Sequence, residues 1–149
     1  MSAVTASQVQ ALSALEDKAA GVPPGYEPLR TARGFVHEIG GFHVHARLDV
    51  VALRVRAEHL NSIGIAHGGF LATVADSAFG ILIKRQRSLA SPPPTVSLGV
   101  DYIGPAREGD WLEAHVDVHK VGRRLANASC LLKVGERLVA RVNGVFIMG

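Results

Sequence analysis

Residues 67–87 read HGGFLATVADSAFGILIKRQR, and this stretch decides the architecture. From Phe70 to Ile83 it is apolar nearly all round, and Asp76 is its only charge before Lys84. A helix without a polar face has to be buried on most sides. Lys84, Arg85 and Arg87 fall in its last turn, where cations suit the negative end of the helix dipole, and they read as a solvated cluster.

Outward from this helix the period drops to two. Upstream, from Gly41, Phe42, Val44, Ala46 and Leu48 alternate with polar residues in one expected strand, and Val51, Leu53 and Val55 do so in a second. Downstream, the stiff Ser91-Pro92-Pro93-Pro94 connector leads to four expected strands at 95–103, 111–119, 125–134 and 137–148. Gly135-Glu136 is a tight turn between the last two. At the other end, Leu12, Leu15 and Ala19 recur at helical spacing, so residues 5–20 predict an amphipathic helix that Gly21–Gly25 closes. Two strands, a buried helix and four strands describe an α+β chain, an antiparallel sheet wrapped around a central helix. One sheet covers one side of that helix. A second subunit, or the N-terminal helix, has to cover the other.

Composition excludes several classes. A chain of 149 residues with 48% hydrophobic residues is a single globular unit. Sixteen Lys and Arg against thirteen Asp and Glu give a net charge of +3, which suits an anionic small molecule. The cations form no long stripe, so no nucleic acid partner is expected. The single cysteine, Cys130, allows neither an internal disulfide nor a CxxC metal site and reads as a core residue. The N-terminus lacks the basic start and apolar run of a signal peptide, and no stretch reaches the roughly 18 apolar residues of a membrane span. A cytoplasmic location is expected by elimination.

Chemistry concentrates just before and within the central helix. Gly68 and Gly69 open it, where the first backbone N–H groups lack intrahelical partners and, with the dipole, can hold an oxyanion. Asn61 adds an amide, and Asp76 puts a carboxylate where burial is costly unless it is paired or used. Each alone is compatible with a turn or a satisfied buried group. Their joint occurrence favours function.

Taken together, Asn61-x-x-Gly64-x-x-His67-Gly68-Gly69 with Asp76 seven residues on resembles the hotdog-fold acyl-CoA thioesterases of the phenylacetate-degradation (PaaI-like) type. The resemblance covers about residues 35–149 and includes Asp101–Ala106 after the helix, with residues 1–34 as a separate N-terminal helix and connector. It implies a homodimer, or a dimer of dimers, and hydrolysis of an aryl- or short- to medium-chain acyl-CoA. It further implies Asp76 as general base or nucleophile and the Gly68 N–H as carbonyl polariser. Asn61 would hold the thioester or the water, His67 would support the loop, and Ser97 would orient the water. No metal and no cofactor are expected, because a thioester carbonyl yields to a carboxylate and a few donors. For the coenzyme's phosphates, Gly69 and the Lys120, Arg123 and Arg124 turn are the candidates. His43, His45, His115 and His119 read as plain surface or interface histidines.

One point is independent of the resemblance. His67 and Asp76 are nine residues apart, which on a helix is about 13.5 Å and about 2.5 turns. They point to opposite sides, so they act separately or in a site built from two chains. Two rival readings stay open: a hotdog hydratase or dehydratase, which needs no such spacing, and a non-catalytic acyl-CoA-binding module, which would have no use for Asp76.

Overall fold

The computed structural model describes Thr5, residues 21–31 and residues 33–149; apart from Thr5, the helix expected over residues 5–20 lies outside the described residues. The strands are β1 (Tyr26–Pro28), β2 (His43–His45), β3 (Val50–Arg54), β4 (Thr95–Tyr102), β5 (Trp111–Val121), β6 (Leu125–Val134) and β7 (Arg137–Ile147). The helices are α1 (Phe35–Ile39) and α2 (Gly68–Arg87), with a single 3-10 turn at Ala57–His59. All seven strands join one antiparallel sheet in the order β1-β2-β3-β5-β6-β7-β4. The helix α2 packs across β3 to β7. This is the expected hotdog arrangement.

The packing follows from the periodicities. Phe70, Leu71, Val74, Ala75, Ala78, Phe79, Leu82 and Ile83 of α2 are buried. They meet the inward residues of β5 (Leu112, Ala114, Val116), β6 (Ala126, Ala128, Cys130, Leu132) and β7 (Val142, Phe146). Small residues on β6 let the helix approach, and the Phe79 and Phe146 rings meet at 5.1 Å. Each fully buried Phe or Leu stabilises the fold by ~1.5–3 kcal/mol. Cys130 is one of these core residues, and burial pushes its thiol up to about 12. The two-residue Gly135-Glu136 hairpin pairs Val134 with Arg137.

Three strands precede α2, not two. The missed one, β1, is only Tyr26-Glu27-Pro28, and a proline is tolerated there because β1 is an edge strand. The strand expected over 42–49 is also shorter. Pairing stops at His45, Ala46 and Leu48 are exposed, and the chain turns before β3. Arg85 holds that turn: its Nη1 donates to His45 O at 2.8 Å and its Nη2 to Leu48 O at 2.7 Å, with Asp49 Oδ1 at 2.9 Å. The basic end of α2 is therefore partly a tie to the β2–β3 turn and not only a solvated cluster. His43 is a further correction, since it is buried and not on the surface. Its face of the sheet is covered by aromatic rings, with Trp111 5.5 Å from His43 and Tyr26 5.3 Å from Trp111. The Tyr26 hydroxyl donates to Glu113 at 2.6 Å, which fixes β1 to β5 across the sheet.

Strand β4 is the other edge. Its outer residues are mostly exposed, including Val96 at 55% and Tyr102 at 56%, so its free side presents unpaired backbone and apolar side chains together.

Candidate active site

The loop before α2 is built on Asn61. Its backbone N–H donates to Ile65 O at 2.8 Å, and its carbonyl accepts from Gly64 N at 3.0 Å. The Asn61 side-chain Oδ1 accepts from Ile63 N at 3.1 Å and Ile65 N at 3.3 Å. The amide oxygen is thus committed to the loop, and the NH2 group is the part left to meet a ligand. The loop is stitched to its surroundings by Ala66 N donating to Ala106 O and His67 N donating to His59 O, both at 2.8 Å. His59 is buried, accepts from Arg56 N at 3.0 Å and stacks on Phe70 at 4.1 Å. Burial first, and the adjacent Arg56 guanidinium second, hold its imidazole below the ordinary histidine range.

His67 is the N-cap of α2, and its Nδ1 accepts from Gly69 N at 2.9 Å. That bond occupies the Gly69 N–H. Gly68, the first residue of the helix, has no hydrogen-bond acceptor for its N–H among the described residues. This free donor sits at the positive end of a 20-residue helix. Tyr102 of β4 donates to Gly68 O at 2.7 Å, and a Cβ on Gly68 would stand 3.1 Å from the tyrosine ring. A bare α-carbon is what lets the ring lie there. Asn61, Gly68, Leu71, Tyr102 and Arg107 line a cleft of about 450 Å3.

Asp76 lies two turns further along α2 and faces a different cleft, of about 610 Å3. It is half-buried, and Thr95 Oγ1 donates to its Oδ1 at 2.6 Å. The second carboxylate oxygen accepts no hydrogen bond from the described residues. Thr95 is a candidate site residue that sequence reasoning missed. Ser97, the hydroxyl it singled out instead, is exposed and lies across a bulge in the β4–β7 pairing from Thr95. Parity counting along β4 fails at that bulge, so no sequence signal marks Thr95.

The structure therefore brings Asn61, His67 and Gly68 together at the Tyr102 end of β4 and places Asp76 at the Thr95 end. The turn with Arg123 and Arg124, beside Lys120, is exposed. Lateral pairing of Thr95 with Phe146, Phe146 with Ala126 and Ala126 with Val121 puts that turn at the Asp76 end of the sheet. It lies two to three strand spacings from β4, about 10–14 Å. No group of three or more His, Cys, Asp or Glu able to hold a metal ion occurs among the described residues. Nor, among these residues, is any helix long and apolar enough to cross a membrane.

A sheet wrapped on one long helix, with a carboxylate on the helix and free donors at its start, defines a class that comparison with known proteins makes explicit. Residues 63–141 match the family model of the thioesterase superfamily, and the chain belongs to that superfamily. A Pseudomonas aeruginosa relative named "Putative esterase PA0474" is 44% identical over 128 residues, covering 84% of this chain and 96% of its own. Human acyl-coenzyme A thioesterase 13 is 31% identical over 96 residues, covering 62% of this chain and 66% of its own. Among solved structures, a point mutant of the phenylacetic acid degradation protein PaaI from Thermus thermophilus is 30% identical. It superimposes with a TM-score of 0.62, covering 91% of this chain and 99% of that one.

Proposed function

We propose that this protein hydrolyses acyl-CoA thioesters, at sites that each take Asp76 from one copy of the chain and Asn61 and Gly68 from another. The observation that carries the reading is the open edge of β4, with an acid half-site at one end and a donor half-site at the other. Antiparallel pairing of two β4 edges about a two-fold axis near Leu98 and Gly99 sets Thr95 of one chain against Tyr102 of the other. That pairing carries each Asp76 to the other chain's Gly68. It also covers the exposed Val96 and Tyr102.

In the composite site, the thioester carbonyl oxygen accepts from the Gly68 N–H, and the Asn61 NH2 steadies the substrate or the water. Asp76, oriented by Thr95, takes a proton from water as the water oxygen bonds to the carbonyl carbon. The tetrahedral oxyanion is held on the Gly68 N–H. As it collapses, the carbon–sulfur bond breaks and the thiolate takes the proton back from Asp76, leaving free acid and CoA thiol. Acyl-CoA as the substrate is supported by the name of the human relative, and Arg123 and Arg124 are the cations offered to the coenzyme's phosphates.

Subunit mixing tests it. Asp76→Asn and Asn61→Ala chains, each nearly inactive alone, are unfolded together and refolded. Random pairing makes about half the dimers mixed, and one of the two sites in each mixed dimer is intact, so about a quarter of wild-type site activity returns. Mixed dimers verified by mass spectrometry that show no recovery reject the shared site.

A further inference from the structure

The cleft beside Asp76 continues beyond the reacting carbonyl, and its far end carries chemistry that thioester hydrolysis leaves unused. Asp76, Gly80 and Lys84 follow one another at four-residue steps on α2, so they share one stripe of the helix, and all three line the same cleft. Eight residues separate the carboxylate from the ammonium, about 12 Å along the helix axis. Between them the helix contributes Ser77, Gly80 and Ile81, and Gly80 lies directly on the line from Asp76 to Lys84. A Cβ there would stand 3.2 Å from the Cβ of Pro92, so a larger residue would fill the gap between α2 and the proline connector. The half-buried Val36 and Ile81 make the walls apolar.

The charges along this trough are ordered. Among the described residues Asp76 is the one acid that lines it, and it sits at the reacting end. Of the cations that line it, Arg85 is spent on His45, Leu48 and Asp49. Lys84 and Arg30 are exposed and have no carboxylate partner among the described residues. An acyl chain ending in a carboxylate fits this order in one direction. Its own anion is repelled from Asp76 and drawn to Lys84, with the apolar methylenes lying over Gly80.

We infer that the trough selects ω-carboxyacyl thioesters, the mono-thioesters of dicarboxylic acids, and that Lys84 is the residue that sets this preference. The inference rests on the acyl-CoA thioesterase reading. Because Lys84 is exposed, the gain is that of a solvent-screened ion pair, about fivefold in kcat/KM.

The experiment compares adipoyl-CoA with hexanoyl-CoA, and suberoyl-CoA with octanoyl-CoA, with phenylacetyl-CoA as a further substrate. In the wild type the ω-carboxylate raises kcat/KM about fivefold at matched chain length, and the advantage shrinks with added salt. Lys84→Met, which keeps the apolar stem, brings the ratio close to one, and Lys84→Glu drives it below one. A wild-type ratio near one overturns the inference. So does a Lys84→Met enzyme that loses equally on both members of a pair, because that places Lys84 on the coenzyme or the fold. Hydrolysis of phenylacetyl-CoA alone overturns it too, while leaving the thioesterase reading standing. Failure on all five substrates removes the thioesterase reading, and this inference with it.

Discussion

The two ends of strand β4 are built from different materials. At the Tyr102 end the groups proposed to work are a backbone N–H and a side-chain amide, placed by a loop that Asn61, His59 and His67 hold through at least six hydrogen bonds of 2.8–3.3 Å. At the Thr95 end the group proposed to work is one carboxylate on a buried helix, held by one hydroxyl. The donor end depends on geometry spread over many weak bonds, each worth about 1 kcal/mol. The acid end depends on the identity of a single atom set. Damage to the first should grade with loop order, whereas damage to the second should be nearly all or none.

The largest effect expected from this contrast is at the acid end. Asp76→Asn keeps the volume and loses the base, and kcat should fall by roughly 10²–10⁴-fold while binding of a non-hydrolysable acyl-CoA analogue persists. Release of free thiol and calorimetric titration with the analogue measure the two separately. A mutant within a few-fold of wild-type kcat would remove Asp76 from the chemistry.

A smaller effect sharpens which end receives the coenzyme. Arg123→Ala and Arg124→Ala should each raise KM for an acyl-CoA by about fivefold, and by less for an acyl-pantetheine that lacks the nucleotide. Equal changes on both substrates would return that turn to ordinary surface.

The smallest effect separates the ends by pH. Burial and Arg56 depress the His59 pKa from 6.5 in the folded chain. The unfolded state therefore takes up the proton first. The stability tied to neutral His59 is complete above its unfolded pKa and is lost as pH falls from about 6.5 through the lower folded value. Between about pH 7.5 and pH 5.5 the urea midpoint should drop further in the wild type than in His59→Asn. Protection of the Ala66 and His67 amides should fall with it, while the Arg85 tie at the far end of α2 holds. Identical pH dependence in both proteins would show that His59 does not govern the donor loop.

What the sequence made legible, and what it hid, follows the same physics. The helix α2 announces itself because a helix without a polar face has few other places to be. Strands β5, β6 and β7 do so because one face alternates cleanly. The alternation at His43 was equally clear, but a period of two shows that a strand has two faces and says nothing about what covers the second. Trp111 and Tyr26, distant in sequence, cover it. Three residues with a proline were too few to mark β1. The Asn61-to-Asp76 pattern could be seen along the chain. The nine-residue separation of His67 and Asp76 already sets those two apart, but which ends of β4 they meet depends on pairings made dozens of residues away, and the Thr95 contact lies behind a bulge that no pattern reveals.

The free side of β4 also bears on how the chain fares when newly made. Its eight residues, TVSLGVDY, carry one charge, Asp101, itself 3.7 Å from Arg141 on the neighbouring strand. A row of unsatisfied amides and carbonyls beside valines and a tyrosine accepts almost any extended segment offered to it. Under the proposed pairing of two β4 edges, a chain at low abundance stays open to the wrong recruit until a second copy covers that edge. The stability of such a pair would rise with the amount of protein present. Under that pairing, dilution would be the stress that leaves the edge of β4 uncovered.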